Sequence, residues 1–298
     1  MAQPVKPFKT IDEQIDILES RGLIIDDRDE AYEALSRLNY YRVSAYSLTL
    51  RKNDIFYKGI HFSDIMQIYS FDMELRALLM YLLESVEVSL RTFVGYHHAK
   101  NYGPLGYLDK EAFDDESYFK EFDANYKDAI KEYGSKEVFV KHHNDVYDGK
   151  FPIWVLVELL TMGALSKLFK NLPKSVRDEI CAEHYGLIKE GYIANWLQGM
   201  TILRNTCAHR GRLYNRFFSF GLKLSNKDKK KLAESGMISN QSRLFTYIFV
   251  LKKLVLDEKV WNKFVDEFLA LMAKYPFVRI RYYGFPENWK ELLEIYNE

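Results

Sequence analysis

The segment from Asp64 to Lys100 constrains the fold most, because it keeps apolar residues at helical spacing without a proline. The apolar positions 65, 68, 75, 78, 79, 82, 86, 90 and 93 follow the 3.6-residue period of an amphipathic helix. Ser63 predicts the start of this helix, and the Asn, Gly and Pro within residues 101–104 predict its end. At roughly 35 residues it is long for a globular protein, so we expect it to kink or to span a helical bundle.

Composition supports a helical globular protein. The 298 residues are enough for one large domain or two small ones, and only 7 Pro and 15 Gly interrupt them. Lys plus Arg and Asp plus Glu each number 42, so the formal net charge is zero. The overall charge therefore does not indicate a nucleic-acid or membrane partner. Two cysteines exclude a disulfide framework and a four-thiolate zinc site. The N-terminus lacks an apolar export segment, so we expect a cytoplasmic protein without membrane association.

The first 60 residues predict a small separate unit. Thr10 and Glu13 have the spacing of a capping box, and Gly22 marks the end of the first helix. A second helix is predicted from Asp29 to Tyr46, and short alternating runs around Asn53-Asp54 predict a hairpin. We therefore predict a helix-helix-hairpin extension over residues 1–60 and a helical domain over residues 61–298.

The remainder predicts further helices and no sheet. Acidic residues between Asp109 and Glu132 predict a solvated helical face, whereas residues 135–151 are expected to form an irregular connection. No repeat, low-complexity tract or linker separates the helical segments, so the predicted fold is all-α, a single bundle. The other predicted helices cover residues 151–165 (apolar and buried), 174–185, 191–210 and 241–272.

The segment RNTCAHRGRLYNR, residues 204–216, is the strongest candidate for chemistry. Asn205 and His209 are i, i+4 neighbours, and Arg212 and Arg216 continue the same line if the helix persists. From Arg204 to residue 231 there are nine Lys or Arg and one Asp, a local charge of plus eight in a neutral chain. A polyanion is the partner that such a patch favours.

Metal-independent RNA cleavage needs a base for the 2′-hydroxyl proton, an acid for the leaving oxygen and a cation for the developing charge. Histidine and arginine meet these needs near neutral pH. An Arg followed by a His after four to six intervening residues occurs four times in the chain, so spacing alone does not choose a site. The pairs are Arg91–His97, Arg91–His98, Arg177–His184 and Arg204–His209.

The local context of one pair suggests a known family. RNTCAHRGRLYNR resembles the Arg-Asn-x-x-Ala-His motif of HEPN ribonucleases, and the chain from about residue 6 to residue 216 resembles the Abi-like (AbiD/AbiF) family of bacterial abortive-infection proteins. The other strings that carry this resemblance are LNYYRVSAY, ESVEVSLRT, YGPLGYLD and FPIWVLVELLTMGALSKLF. The resemblance implies a HEPN-like helical bundle, a homodimer with one composite site, and RNA cleavage as a phage-defence toxin.

The resemblance also implies roles for single residues. Arg204 and His209 match the catalytic pair, and Asn205 matches the polar residue that follows the arginine. We assign His209 as general base or acid, Arg204 as phosphate ligand, and Asn205 as the residue that orients one of them. An ideal helix separates Arg204 from His209 by about 140°, so we expect a two-fold axis to pool the residues of two chains. No metal or cofactor is expected to take part.

Four further residues have two interpretations each. Arg210, Arg212 and Arg216 either bind the RNA backbone or solvate the end of the helix. Arg91, followed by His97, either forms an outer polar shell of the site or pairs with Glu87 four residues earlier on the same helix.

Two rival functions remain open from the sequence. The protein could be a non-catalytic HEPN-like module that binds RNA or protein in a phage-defence or toxin–antitoxin system, since the lysines of residues 223–231 fit binding without turnover equally well. It could also be a toxin that an antitoxin, either RNA or protein, silences until a phage trigger arrives. A structural role for His209, with its ring bonded to a neighbouring carbonyl, is the corresponding alternative at the level of the site.

Overall fold

The computed structural model describes residues 5–134, 136–186, 188–236 and 242–295, and within these ranges the fold is all-α apart from one hairpin. This confirms the predicted fold class. The helices are α1 (Ile11–Ser20), α2 (Arg28–Arg37), α3 (Tyr40–Tyr46), α4 (Phe62–Tyr102), α5 (Glu116–Tyr133), α6 (Val138–Val146), α7 (Ile153–Leu156), α8 (Met162–Asn171), α9 (Lys174–His184), α10 (Glu190–Ala208), α11 (Asn226–Glu234), α12 (Leu244–Leu254), α13 (Glu258–Lys274) and α14 (Trp289–Leu292). The strands are β1 (Arg51–Lys52) and β2 (Ile55–Phe56), which pair antiparallel.

Helix α4 spans the bundle, as its sequence predicts. The N–H of His61 donates to the Asp64 carboxylate (2.8 Å) at its start, and Gly103 ends it with a φ of 77°. Helices α3, α7, α8, α9, α10, α12 and α13 all pack against it. The helix is therefore the central element to which both halves of the chain attach.

Two local predictions for the N-terminal segment are confirmed. Thr10 and Glu13 form the capping box of α1. Asn53 and Asp54 form the hairpin turn with φ values of 50° and 63°, the left-handed conformation that asparagine and aspartate tolerate. The boundary between residues 60 and 61 stays a prediction.

Two of the predicted helices are each divided in two where a side chain caps the start of a new helix. The helix predicted over residues 29–46 stops before Asn39, whose side chain accepts from the N–H of Tyr41 (2.8 Å) and starts α3. The helix predicted over residues 241–272 becomes α12 and α13, because the Asp257 side chain caps the second of them. Residue 241 lies outside the described residues. An oxygen acceptor that satisfies the free N–H groups lets a new helix start there.

The apolar segment from Phe151 is also not one helix. It forms α7, a 3₁₀ turn at Val157–Leu159, and α8, whose start is capped by the Thr161 hydroxyl. The predicted irregular connection over residues 135–151 is wrong in its centre, where α6 forms and buries Val140; residue 135 itself is outside the described ranges.

The core is rich in aromatic side chains, and the two cysteines lie within it. Phe71 of α4 contacts Phe268 of α13 with ring centroids 6.4 Å apart, and both are fully buried. Burial raises the pKa of Cys181 and of Cys207 to about 12, so both remain thiols at neutral pH. Within the ranges given above, none of the helices has both the length and the apolar character required to cross a membrane.

Candidate functional site

Helix α10 ends after Ala208 in a Schellman motif. His209 is the C-cap, and Arg210 follows with a left-handed φ of 57°. The N–H of Gly211 then donates to the carbonyl of Thr206 (2.7 Å), which satisfies a carbonyl that the helix leaves free. Because Arg210 adopts the left-handed conformation, the chain turns sharply immediately after His209. This conformation costs a non-glycine residue some strain.

The three residues predicted to be catalytic lie together at this helix end. Arg204 is half-buried and its Nη1 atom lies 3.5 Å from the Asn205 side-chain oxygen. Asn205 and His209 are both exposed. Within the described part of the chain the His209 imidazole makes no hydrogen bond or ion pair, so its ring nitrogens are accessible to a ligand.

Of the three arginines predicted to bind RNA, only Arg210 faces solvent. The helix does not persist beyond residue 208, so the condition under which Arg212 and Arg216 would continue the line of His209 is not met. The Arg212 guanidinium donates instead to the carbonyl oxygens of Ala45 (3.1 Å) and Tyr214 (2.9 Å). Arg216 donates to the Arg212 carbonyl at 3.4 Å. The RNA-binding role of these residues stays a prediction.

A buried carboxylate fixes the loop that follows the helix end. Asp72 on α4 is fully buried and accepts hydrogen bonds from three different segments. Burial raises the pKa of this carboxyl, and the charge of Arg76 together with the hydrogen bonds opposes the rise. The donors are the phenols of Tyr46 (2.7 Å) and Tyr283 (3.1 Å), the N–H groups of Leu213 (3.2 Å) and Tyr214 (2.8 Å), and the guanidinium of Arg76.

Helix α3 supports the same loop from the other side. Arg42 donates to the carbonyl oxygen of Arg210 (3.0 Å), and the hydroxyls of Thr49 and Tyr214 lie 2.5 Å apart. These contacts could not be predicted from sequence spacing, because they join residues more than 160 positions apart. The segment LNYYRVSAY is therefore a support for the turn after His209.

Arg91 and His97 are not part of this cluster. Arg91 pairs with Glu87, as one of its two interpretations predicts, and also donates to the carbonyls of Val157 and Leu160 (2.7 Å) at the break between α7 and α8. Arg76 reaches the Gly211 carbonyl at 3.4 Å, and Arg91 lies 15 residues further along α4, on the order of 20 Å away.

The surroundings of the four Arg–His pairs separate them. His97 and His98 are fully buried, and His184 stacks on Phe93 with the rings 3.6 Å apart. The Arg177 guanidinium donates hydrogen bonds to the carboxylates of Glu190 (3.0 Å) and Asp114 (2.8 Å). It also donates to the carbonyl oxygens of Lys170 and Leu172 (both 2.6 Å). Only the pair Arg204–His209 has an exposed imidazole.

The basic run of residues 204–231 is divided in space. The main chain of Lys223 bonds to Asn195 (2.7 Å) and Trp196 (2.6 Å), in the N-terminal half of α10. Fourteen residues of helix, about 21 Å, separate Asn195 from His209. The lysines of α11 and the arginines after α10 are therefore two separate positive surfaces.

A groove runs along α10 toward the motif. It has a volume of 690 Å³ and lies between α5, α8 and α10. Thr201 and Ile202 line its near end, one helical turn before Asn205. Gly163 and Ala164 form the opposite wall, and a Cβ at Gly163 would lie 3.5 Å from the Thr201 methyl, so the small residues of α8 approach α10 closely at this end.

Comparison with known proteins identifies a family for this chain. No curated protein and no solved structure matches the chain significantly. The family model described as Abi-like protein matches residues 33–215, which include α3, α4, the Arg204–His209 motif and the loop held by Asp72. Because this match covers more than half of the chain, the protein belongs to the Abi-like family, and that membership indicates a role in abortive infection, a form of phage defence.

Proposed function

We propose that the protein is a metal-independent endoribonuclease of the HEPN type and acts as an abortive-infection toxin. The observation that carries the proposal is the exposed His209 imidazole at the end of α10, where Arg204 and Asn205 also lie, whereas His97 and His98 are buried and His184 stacks on Phe93. Family membership supplies the biological setting.

The chemistry follows from the residue types. One His209 imidazole takes the proton of a ribose 2′-hydroxyl, whose oxygen attacks the adjacent phosphorus. A second, protonated imidazole gives its proton to the leaving 5′-oxygen, so the products are a 2′,3′-cyclic phosphate and a 5′-hydroxyl. Arg204 offers a permanent positive charge to the phosphate oxygens as negative charge develops.

One chain supplies only one such imidazole, so the proposal includes a homodimer. A two-fold axis beside α10 brings two copies of Arg204, Asn205 and His209 to one scissile phosphate. The exposure of Asn205 and His209 at the end of α10 supports this arrangement, since it leaves both side chains accessible to a second chain.

RNA cleavage by purified protein in EDTA tests the proposal. We expect wild-type protein to leave cyclic phosphate ends, and both Arg204→Ala and His209→Ala to lose about 100-fold or more in rate. His142→Ala is the matched control. It removes an exposed histidine of α6, so this variant should cleave RNA at the wild-type rate. Variants that keep their circular dichroism spectrum and cleave at the wild-type rate contradict the assignment.

Mixing wild-type with His209→Ala chains tests the composite site. Heterodimers keep only one of the two imidazoles, so an excess of the variant should lower the activity per wild-type chain. If each chain contains its own complete site, the wild-type chains keep their full rate at every mixing ratio.

The second candidate function, binding without turnover, is favoured by the position of the lysines on α11. Lys227 and Lys231 line a cavity of 640 Å³ together with Tyr192 and Trp196, away from the motif. Under this alternative, RNA is retained in a salt-sensitive complex and stays intact, and His209→Ala leaves its affinity unchanged.

A further inference from the structure

A second histidine cluster joins α4 to α9, far from the Arg204–His209 motif. The Nε2 atoms of His97 and His184 lie 3.1 Å apart. A carboxylate oxygen of Glu183 lies 3.6 Å from Nε2 of His97. Three potential ligand atoms, one from each residue, thus fall within 4.8 Å of one another.

We infer that His97, His184 and Glu183 form a binding site for a divalent first-row transition metal of the zinc class. Two imidazoles and one carboxylate are a ligand set that zinc uses when it keeps a position open for water. With metal–nitrogen bonds of about 2.0–2.1 Å, two nitrogens 3.1 Å apart subtend an angle of about 100° at the metal, near the tetrahedral value.

The surroundings of His97 fit a metal ligand. Its side chain is wholly buried, and Glu179 lies 3.5 Å from its other ring nitrogen, Nδ1. Lys100 and Asn101 both donate hydrogen bonds to the Glu179 carboxylate and hold it in place. A carboxylate facing Nδ1 favours the tautomer with the proton there, which leaves the Nε2 lone pair directed at the cluster.

The orientation of the His184 imidazole is also fixed by its surroundings. His184 stacks on Phe93 with the ring planes 6° apart, which fixes its orientation. Glu183 is half-exposed and marks the path from solvent. Without a cation, the two Nε2 atoms must share one proton in an ordinary hydrogen bond, which is the competing explanation.

Cobalt titration of untagged full-length protein, stripped with EDTA and dialysed, distinguishes the two. We expect one Co²⁺ per chain, with visible absorption typical of a four- or five-coordinate site, and displacement by Zn²⁺. His184→Ala and Glu183→Gln should weaken binding at least about tenfold, and Glu179→Gln should also weaken it about tenfold through the His97 ring. His142→Ala, which removes an exposed histidine of α6, should bind as wild type does.

The readout is metal binding, so it does not depend on whether the protein cleaves RNA. Circular dichroism confirms the fold of each variant, and the two variants at partly exposed positions avoid removing the buried His97. Zn²⁺ should also raise the melting temperature of wild type and leave that of His184→Ala unchanged. Absence of Co²⁺ uptake by wild type, or equal uptake by His184→Ala, would overturn the inference in favour of the hydrogen bond.

Discussion

Replacing Asp72 by Asn tests the idea that one buried carboxylate fixes the loop after the motif. The amide keeps one oxygen for the N–H groups of Leu213 and Tyr214, but it removes the charge that pairs with Arg76. Tyr46 can rotate its hydroxyl to accept from the new amide, whereas Arg76, with its side chain 7% exposed, cannot find another anion. Breaking a buried pair in this way costs about 3–5 kcal/mol of unfolding free energy.

Glu74→Gln is the matched control on the same helix. Glu74 bonds to Lys274 (2.8 Å) and Tyr275 (2.6 Å), but this pair is partly exposed, so its loss should cost about 1 kcal/mol or less. Urea unfolding followed by far-UV circular dichroism measures both variants. If Asp72→Asn is destabilised no more than Glu74→Gln, the carboxylate does not hold the loop as argued.

Three further predictions concern the stability of the folded protein in variants at His98, Gly211 and Arg210. Burial lowers the pKa of His98 to about 4 from 6.5, so the folded protein should lose about 3 kcal/mol as the pH falls from about 6.5 to 4; chemical denaturation at several pH values should show this loss in wild type and not in His98→Leu. Gly211→Ala should cost about 1–3 kcal/mol in urea unfolding, because its Cβ meets Thr206 at 2.9 Å, whereas Gly191→Ala in open space should be neutral or stabilising. Arg210→Gly should raise the melting temperature, since glycine takes the left-handed φ without strain; an unchanged or lower value contradicts this.

Much of the fold could be predicted from the sequence where the determining signals are local. The capping box of Thr10, the apolar period of α4 and the Asn53-Asp54 turn each depend on residues within a few positions of one another. The break between α7 and α8 could not be predicted in this way, because Arg91 satisfies the carbonyl of Leu160 from a helix almost 70 residues earlier.

The candidate site shows the same division. Asn205 and His209 are predicted as i, i+4 neighbours, and Arg204 is predicted from its place in the motif; all three lie at one helix end. The hydrogen-bond partners of Arg212 could not be predicted. They depend on the left-handed conformation of Arg210 and on the carbonyl of Ala45, which is distant in sequence. Gly211 was the available signal that the helix ends nearby.

The partners of Asp72 come from the start, the middle and the end of the chain. Tyr283 lies beyond residue 215, where the family match ends, yet its hydroxyl donates to the same carboxylate as the N–H of Tyr214. A nascent chain that has not yet emerged to residue 283 therefore lacks one of these donors. We expect the turn after His209 to form late in biosynthesis, so that a growing or truncated polypeptide does not yet present the complete candidate site.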